Sequence, residues 1–514
     1  MRGRYFAIVI PAVVGGLLAG LTTASADPAL NTTNIPARYT GQALAWHLCA
    51  DNELPAPRPP GTEQLECATF STPRDWDRPH ERKDLTIAVS RLKSTARTTA
   101  SVLTNPGGPG GEGRSLPVLF QGQTKLREHQ EIIGIDPRGT GKSTNISCGG
   151  ATFSDRDPRD RDPRNLDKIL DTLADFAKAC QRVSGDLAGL IDTYQTIRDM
   201  DLLRVLLGRH KVNYVGYSAG TWLGAHYAQQ FPQRTGRFVL DSNVDFTAPW
   251  EKMRDWQPLG FERRWRQDFL PWIARYEAKY HFGGTAEQAR QNYESIRASL
   301  SREPLDIGGA RFGPLELDGS MMGMSYHKVL FPEMAATLAE VKRLIETGTA
   351  DDRGTVKAAL SRVRAEAEDS LVAVLTAVTC NDGPWTGDRR SVIRKSQEFL
   401  DRGLTLDAFW IDHQACVFWK NKKFRPLPTM DGKGVPPVLM VQSAHDPGTP
   451  IEGARKAHAM FENSRMLTVT DEGDHGVYSF GNANVDKIVN AYLVDGVVPQ
   501  DQSVPGMPLP VPAQ

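Results

Sequence analysis

Short apolar runs that alternate with helix-patterned stretches constrain this chain more than any other feature. The runs are LTIAVSRL at 85–92, SVLTN at 101–105, EIIGID at 131–136, KVNYVG at 211–216, RFVLDS at 237–242 and PPVLMVQS at 436–443. Strands this apolar, separated by helices, must be covered on both faces, which predicts an α/β fold around a mostly parallel sheet. The rhythm stops between about Phe246 and Lys433. There no core strand is legible, but helical patterns are: Phe261, Trp265 and Phe269 recur every four residues, and AATLAEVKRLIE follows at 335–346. The strand pattern then resumes with PPVLMVQS and RMLTVTDEG, so this stretch reads as an inserted helical cap and not as a separate C-terminal domain. The expected division is a first core part at 46–245, the cap at 246–433 and a second core part at 434–501.

The ends read differently. Arg2 and Arg4, an apolar stretch to about Leu21 and then Ala24-Ser25-Ala26 have the order of a secretory signal peptide cleaved after residue 26. A retained anchor is the alternative, weakened by Pro11 and the Gly15-Gly16 pair. No cysteine follows the apolar stretch to take a lipid. Residues 27–45 read as a pro-segment or arm, and 502–514 as a proline-rich tail outside the core. Lysine plus arginine and aspartate plus glutamate both number 61, so nothing in the overall charge favours a nucleic-acid partner. No second apolar run is long enough to cross a bilayer.

Export would place the chain in an oxidising compartment. Its six cysteines lack the C-x-x-C spacing of a metal site, so disulfides are expected. Fifteen pairings are possible. Loop-closure entropy favours the short loops, Cys49 with Cys67, Cys148 with Cys180 and Cys380 with Cys416.

Within KVNYVGYSAGTWLG, residues 211–224, Ser218 stands between Gly216 and Gly220, after a strand and before a helix-compatible stretch. A serine hydroxyl becomes a nucleophile only when it is exposed, bonded to a base and faced by donors for the oxyanion. A strand–G-x-S-x-G–helix context supplies the exposure on a tight elbow, whereas the pentapeptide alone could be a plain turn. TNPGGPGGEG at 104–113 directly follows another strand, and uncrowded backbone there can donate. The oxyanion hole is assigned to the N–H groups of Gly108 and Ala219. DPRGTGKS at 136–143 resembles a phosphate loop, but Asp136 stands where that pattern needs glycine, so it reads as a structural turn. DRDPRDRDPR at 155–164 reads as a solvated loop.

In this architecture an acid and then a histidine follow the serine, each at the C-terminal end of a strand. Asp446 follows PPVLMVQS, and His475 follows RMLTVTDEG. Asp446 would orient His475, and His475 would take the Ser218 proton. Rivals are His445, which would point away from the site, His226 on the helix after the elbow, and Asp241 as a second acid.

Together NPGGPGG, DPRGTGKS, the long stretch DTYQTIRDMDLLRVLLGRHKVNYVGYSAGTWLGAHYAQQFPQR, VLDSNVD and HDPGTPIEGA resemble the secreted bacterial tripeptidyl aminopeptidases. These are relatives of prolyl aminopeptidase within the α/β-hydrolases, and the resemblance spans about Cys49 to Val497. It implies an α/β-hydrolase core with a helical cap and paired cysteines, and an exopeptidase that removes short peptides from free N-termini. It also implies Ser218, Asp446 and His475 as the triad. The family usually places an aromatic residue after the nucleophile; Ala219 stands there here, which widens the space beside the serine. An aminopeptidase must also hold an ammonium group, and Glu112 and Asp382 are the candidates, each with a structural role as the alternative. No metal or organic cofactor is required. A secreted carboxylesterase with the same triad is the second reading, and a catalytically silent binding protein of this fold is the third. Epoxide or haloalkane hydrolysis would need a carboxylate in place of Ser218.

Overall fold

A ten-stranded sheet organises the chain, in the order β1-β2-β3-β5-β4-β6-β7-β10-β11-β12. The strands are β1 His47–Leu48, β2 Glu66–Pro73, β3 Asp84–Leu92, β4 Ser101–Asn105, β5 Glu131–Ile135, β6 Val212–Tyr217, β7 Thr235–Asp241, β8 Leu305–Ile307, β9 Ala310–Phe312, β10 Val438–Ser443, β11 Ser464–Thr470 and β12 Gln502–Pro505. Strands β8 and β9 form a separate hairpin. The computed structural model describes residues 35–348, 354–364, 369–421, 424–425 and 427–513. The expected signal peptide lies outside them. No described helix is long and apolar enough to cross a membrane.

The pairings β1–β2, β2–β3 and β3–β5 are antiparallel, and all later ones are parallel. The change follows from the connections. Strands joined by helices must return to the same edge of the sheet and so run parallel, whereas β2 and β3 are joined by a short loop. Every residue of β4, β5 and β10 is buried, the pattern of strands covered on both faces. This is the α/β-hydrolase arrangement.

The described elements between β7 and β10 are helices apart from the β8–β9 hairpin, and they pack in two ways. Phe261, Trp265, Phe269, Phe331 and Val341 belong to a core of their own. Val374, Cys380, Phe399 and Trp410 instead join the cluster that contains the sheet residues Leu103, Ile133 and Leu240. The helices Asp369–Asn381 and Arg389–Asp401 are therefore part of the main core. Three disulfides are present: Cys49–Cys67, Cys148–Cys180 and Cys380–Cys416.

Three expectations need correction. Gln502–Pro505 is not a free tail: it pairs in parallel with Leu467–Thr470 as the edge strand β12. Proline is tolerated there because an outer edge makes no further ladder bonds. Beyond it, the Pro510 carbonyl accepts the Trp272 indole N–H at 2.7 Å. The segment 27–45 is not wholly outside the core either, since Tyr39 is 1% exposed and its hydroxyl donates to Asp84. Finally, DRDPRDRDPR is not simply solvated. Asp157 accepts from Arg297, Arg159 pairs with Glu294, and Arg161 donates to Ser396, so its charges tie two helices of the insertion region to the loop after β5.

Candidate active site

The elbow after β6 is held by close backbone approaches. A Cβ on Gly216 would lie 2.6 Å from the Gly220 carbonyl, and one on Gly224 would lie 2.4 Å from the Tyr214 ring. With those side chains absent, the strand turns directly into the helix Ala219–Gln230. Ser218 is left at φ 56° and ψ −127°, a region a non-glycine residue enters only at a cost of roughly 1–3 kcal/mol. Its N–H donates to the Asp241 carbonyl at 3.0 Å, which fixes the turn against the end of β7. Ser218 is half-buried, and among the described residues its hydroxyl makes no hydrogen bond.

Asp446 and His475 come from the loops after β10 and β11. His475 Nδ1 lies 2.9 and 3.0 Å from the two Asp446 carboxylate oxygens. The carboxylate is fully buried and also accepts the N–H groups of Gly448 and Thr449, which set its orientation. Burial acts to lower the His475 pKa, but the Asp446 carboxylate outweighs it, with help from Asp241, and the net shift is upward from 6.5. The His475 N–H donates to the Tyr326 carbonyl, and the two rings meet edge-on with centroids 5.1 Å apart.

Asp241 links the two halves of the site. Its carboxylate accepts the N–H groups of Val477 and Tyr478, and the adjacent Ser242 hydroxyl accepts that of Gly476. The end of β7 therefore supports both the serine elbow and the histidine loop, and the Asp241 carboxylate bonds backbone there while Asp446 bonds the imidazole. Burial, opposed by these hydrogen bonds, pushes the Asp241 pKa up to about 6. The remaining rivals point elsewhere: His445 Nδ1 meets Asp268 at 2.7 Å, and His226 is buried against the Trp222 carbonyl.

The glycine-rich loop after β4 lies on the elbow. A Cβ on Gly107 would stand 2.5 Å from the Tyr217 carbonyl, 2.8 Å from Ser218 Cβ and 2.9 Å from the Ala219 nitrogen. Gly107, Gly108 and Gly110 all have φ near +100°, open to glycine and strained for other residues. Ala219 opens its helix, so its N–H has no acceptor within that helix. The far end of the loop is tied by Asp136, whose carboxylate accepts from Gly113, Arg114 and the Lys142 N–H. Within DPRGTGKS the Lys142 N–H faces this carboxylate, and the N–H groups of Gly139, Thr140 and Ser143 bond backbone carbonyls, as in a structural turn.

The two acids expected to hold an amine have different surroundings. Glu112 is half-buried against the 136–143 turn, its Cγ 3.1 Å from the Cβ position of Gly141. Asp382 accepts the Thr193 N–H and hydroxyl and the Trp250 indole N–H, which makes it a brace. Burial and the nearby Asp192 push its pKa up to about 7. Thr193 and Trp250 line a small apolar cavity together with Gly107, Ala219 and Trp222. Sequence reading missed Tyr326, Asp407 and Asp412, which line a second cavity of about 640 Å³. Asp407 precedes the 3-10 stretch Ala408–Val417 and Asp412 lies within it, and no spacing rule singles them out. Among the described residues no group of three or more histidines, cysteines or carboxylates could hold a metal.

Comparison with known proteins agrees with this geometry. A family model described as alpha/beta hydrolase fold matches residues 101–304, and one described as TAP-like protein matches residues 404–505. The chain is 31% identical to the tripeptidyl aminopeptidase of Streptomyces lividans, over 90% of this chain and 86% of that protein. It is 26% identical to the serine protease Hip1 of Mycobacterium bovis, over 89% and 90% respectively. It is also 26% identical to the carboxylesterase B of Mycobacterium tuberculosis, over 94% and 95%. The chain belongs to the tripeptidyl aminopeptidase family of serine hydrolases, built on the α/β-hydrolase fold.

Proposed function

We propose that the protein is a secreted serine exopeptidase that releases short peptides, tripeptides in the first instance, from free N-termini through an acyl-enzyme. Ser218 Oγ attacks the scissile carbonyl carbon while its proton passes to His475 Nε2. The carbonyl oxygen takes the negative charge, facing the N–H groups of Gly108 and Ala219. As the tetrahedral intermediate collapses, the C–N bond breaks and His475 returns the proton to the departing amine. Water then enters, gives a proton to His475 and attacks the acyl carbon, and the N-terminal fragment leaves as a carboxylic acid. Asp446 holds the ring in the tautomer with hydrogen on Nδ1 and stabilises the imidazolium. The part of the insertion that has its own core, built on Phe261, Trp265, Phe269, Phe331 and Val341, serves as the cap over this site.

The observation that carries the reading is the approach of both Asp446 oxygens to His475 Nδ1, which leaves Nε2 for the serine. In an apo enzyme the serine–histidine bond is often long and tightens only with substrate. Secretion is supported by the leader-like N-terminus and the three disulfides.

The test is mass spectrometry of products from a peptide library with free and acetylated N-termini, using the wild type and Ser218→Ala. Release of N-terminal tripeptides from free ends only, abolished by Ser218→Ala, is the expected result. A carboxylesterase acting through the same residues is the second reading, favoured by the similarity to carboxylesterase B. Indifference to acetylation together with faster ester than peptide turnover would establish it.

A further inference from the structure

The catalytic residues alone do not determine where the free end of a peptide is held. The 640 Å³ cavity begins at the catalytic wall, since Tyr326 lines it and also stands against His475. The Tyr326 hydroxyl is 3.1 Å from the Cβ position of Gly448 in the Asp446 loop. Gln257, another lining residue, donates to the Gly448 carbonyl at 3.2 Å. Phe261 and Met322 give the cavity an apolar flank.

Four carboxylates line it: Asp155 is exposed and Glu316 half-buried, whereas Asp407 and Asp412 are buried. Asp407 is 3% exposed and Asp412 8% exposed, and Oδ1 of Asp407 has no hydrogen-bond partner among the described residues. The buried Arg254 acts on Asp407 through space, but among the described residues it forms no ion pair with it. His413 offers no positive charge, since burial and Arg254 push its pKa down to about 3. Burial pushes Asp407 up to about 8, opposed by Arg254 and reinforced by Asp412, and burial pushes Asp412 up to about 7. Such a buried acid is unfavourable as an uncompensated charge and stays neutral until a cation or donor completes it.

We infer that Asp407 and Asp412 receive the free α-ammonium group of the peptide substrate, an assignment that rests on the aminopeptidase reading above. An ammonium brings three donors and one positive charge on a single atom, which suits two buried carboxylates in a cavity with an apolar flank. Glu112 and Asp382, occupied elsewhere, are then not needed for this role.

The test uses the full-length secreted enzyme and its Asp407→Asn, Asp412→Asn and double variants, with active sites counted by fluorophosphonate titration. The substrates are Ala-Ala-Ala-p-nitroanilide, its N-acetyl counterpart and Lys-Ala-Ala-p-nitroanilide. Each single variant should lower kcat/KM on the free alanine tripeptide ten- to a hundredfold, chiefly through KM. The preference for free over acetylated substrate should shrink toward one in the double variant. Retention of the wild-type preference in the double variant would overturn the assignment. So would an effect confined to the lysine peptide, which would mean that the carboxylates read a basic side chain. Should Asp407→Asn fail to fold, Asp412→Asn alone decides the question by the same ratio. A wild type indifferent to acetylation would instead remove the aminopeptidase reading itself, a different outcome from variants that keep a real preference.

Discussion

Replacing Asp446 by asparagine removes one charge and preserves shape, and its consequence can be worked from the contact with His475. The carboxylate oxygens lie 2.9 and 3.0 Å from Nδ1, so the charge centres of carboxylate and imidazolium are about 4 Å apart. At an effective dielectric near 20 this interaction is worth about 4 kcal/mol, or about a thousandfold in rate. An asparagine that turns its amide N–H toward Nδ1 would also impose the wrong tautomer, and the same change in a serine protease triad costs about 10⁴ in kcat. The expected loss is therefore about 10³–10⁴ in kcat. The assay is hydrolysis of a free tripeptidyl p-nitroanilide across the range in which imidazole titrates. Activity requires neutral His475, whose pKa is raised above 6.5, and so falls as pH drops through that raised value. Without Asp446, burial pulls the pKa down and the acid limb should move to lower pH. Activity within tenfold of wild type, or an unmoved acid limb, would refute the reasoning. Asp241→Asn should behave differently. The N–H groups of Val477 and Tyr478 both go to Oδ2, which the asparagine amide oxygen can replace, so only the Ser242 bond at Oδ1 is disturbed, at a cost of about 1 kcal/mol of stability, with a smaller loss in kcat.

Gly107→Ala should lower kcat more than tenfold in the same assay, because its methyl would push the elbow backbone at Tyr217 and Ala219 from a strained φ. Arg138→Ala should cost about 3–5 kcal/mol in urea unfolding, since Asp199 would be left as a buried charge without its 2.7 and 2.8 Å partner. The paired change Cys380→Ser with Cys416→Ser opens a disulfide that spans a separation of 36 residues. It should cost about 3–4 kcal/mol in the denaturant midpoint, measured against the oxidised wild type.

The parts of this molecule that follow local rules were legible from its residues. Strands β3 to β7, β10 and β11 are apolar runs, each but β3 followed by a helix, and Ser218, Asp446 and His475 each stand at the C-terminal end of one of them. Strand β2 was missed because ECATFSTP mixes serine, threonine and proline into its apolar pattern, and β12 because its proline-rich surroundings read as tail. Partnership across the chain was harder to see. Asp157, Arg159 and Arg161 look solvated until the helices that carry Arg297, Glu294 and Ser396 are placed beside them. Asp407 and Asp412 were invisible as a pair for the same reason: their burial comes from the packing of the insertion around Tyr326 and Arg254, which no periodicity encodes.

The most direct measurement is fluorophosphonate labelling followed by peptide mapping, on the wild type, His475→Ala and Asp446→Asn. The account requires a single phosphonyl adduct on Ser218, formed much more slowly in Asp446→Asn and more slowly still in His475→Ala. An adduct on a different residue, or labelling of Ser218 at full rate without the imidazole, would contradict it.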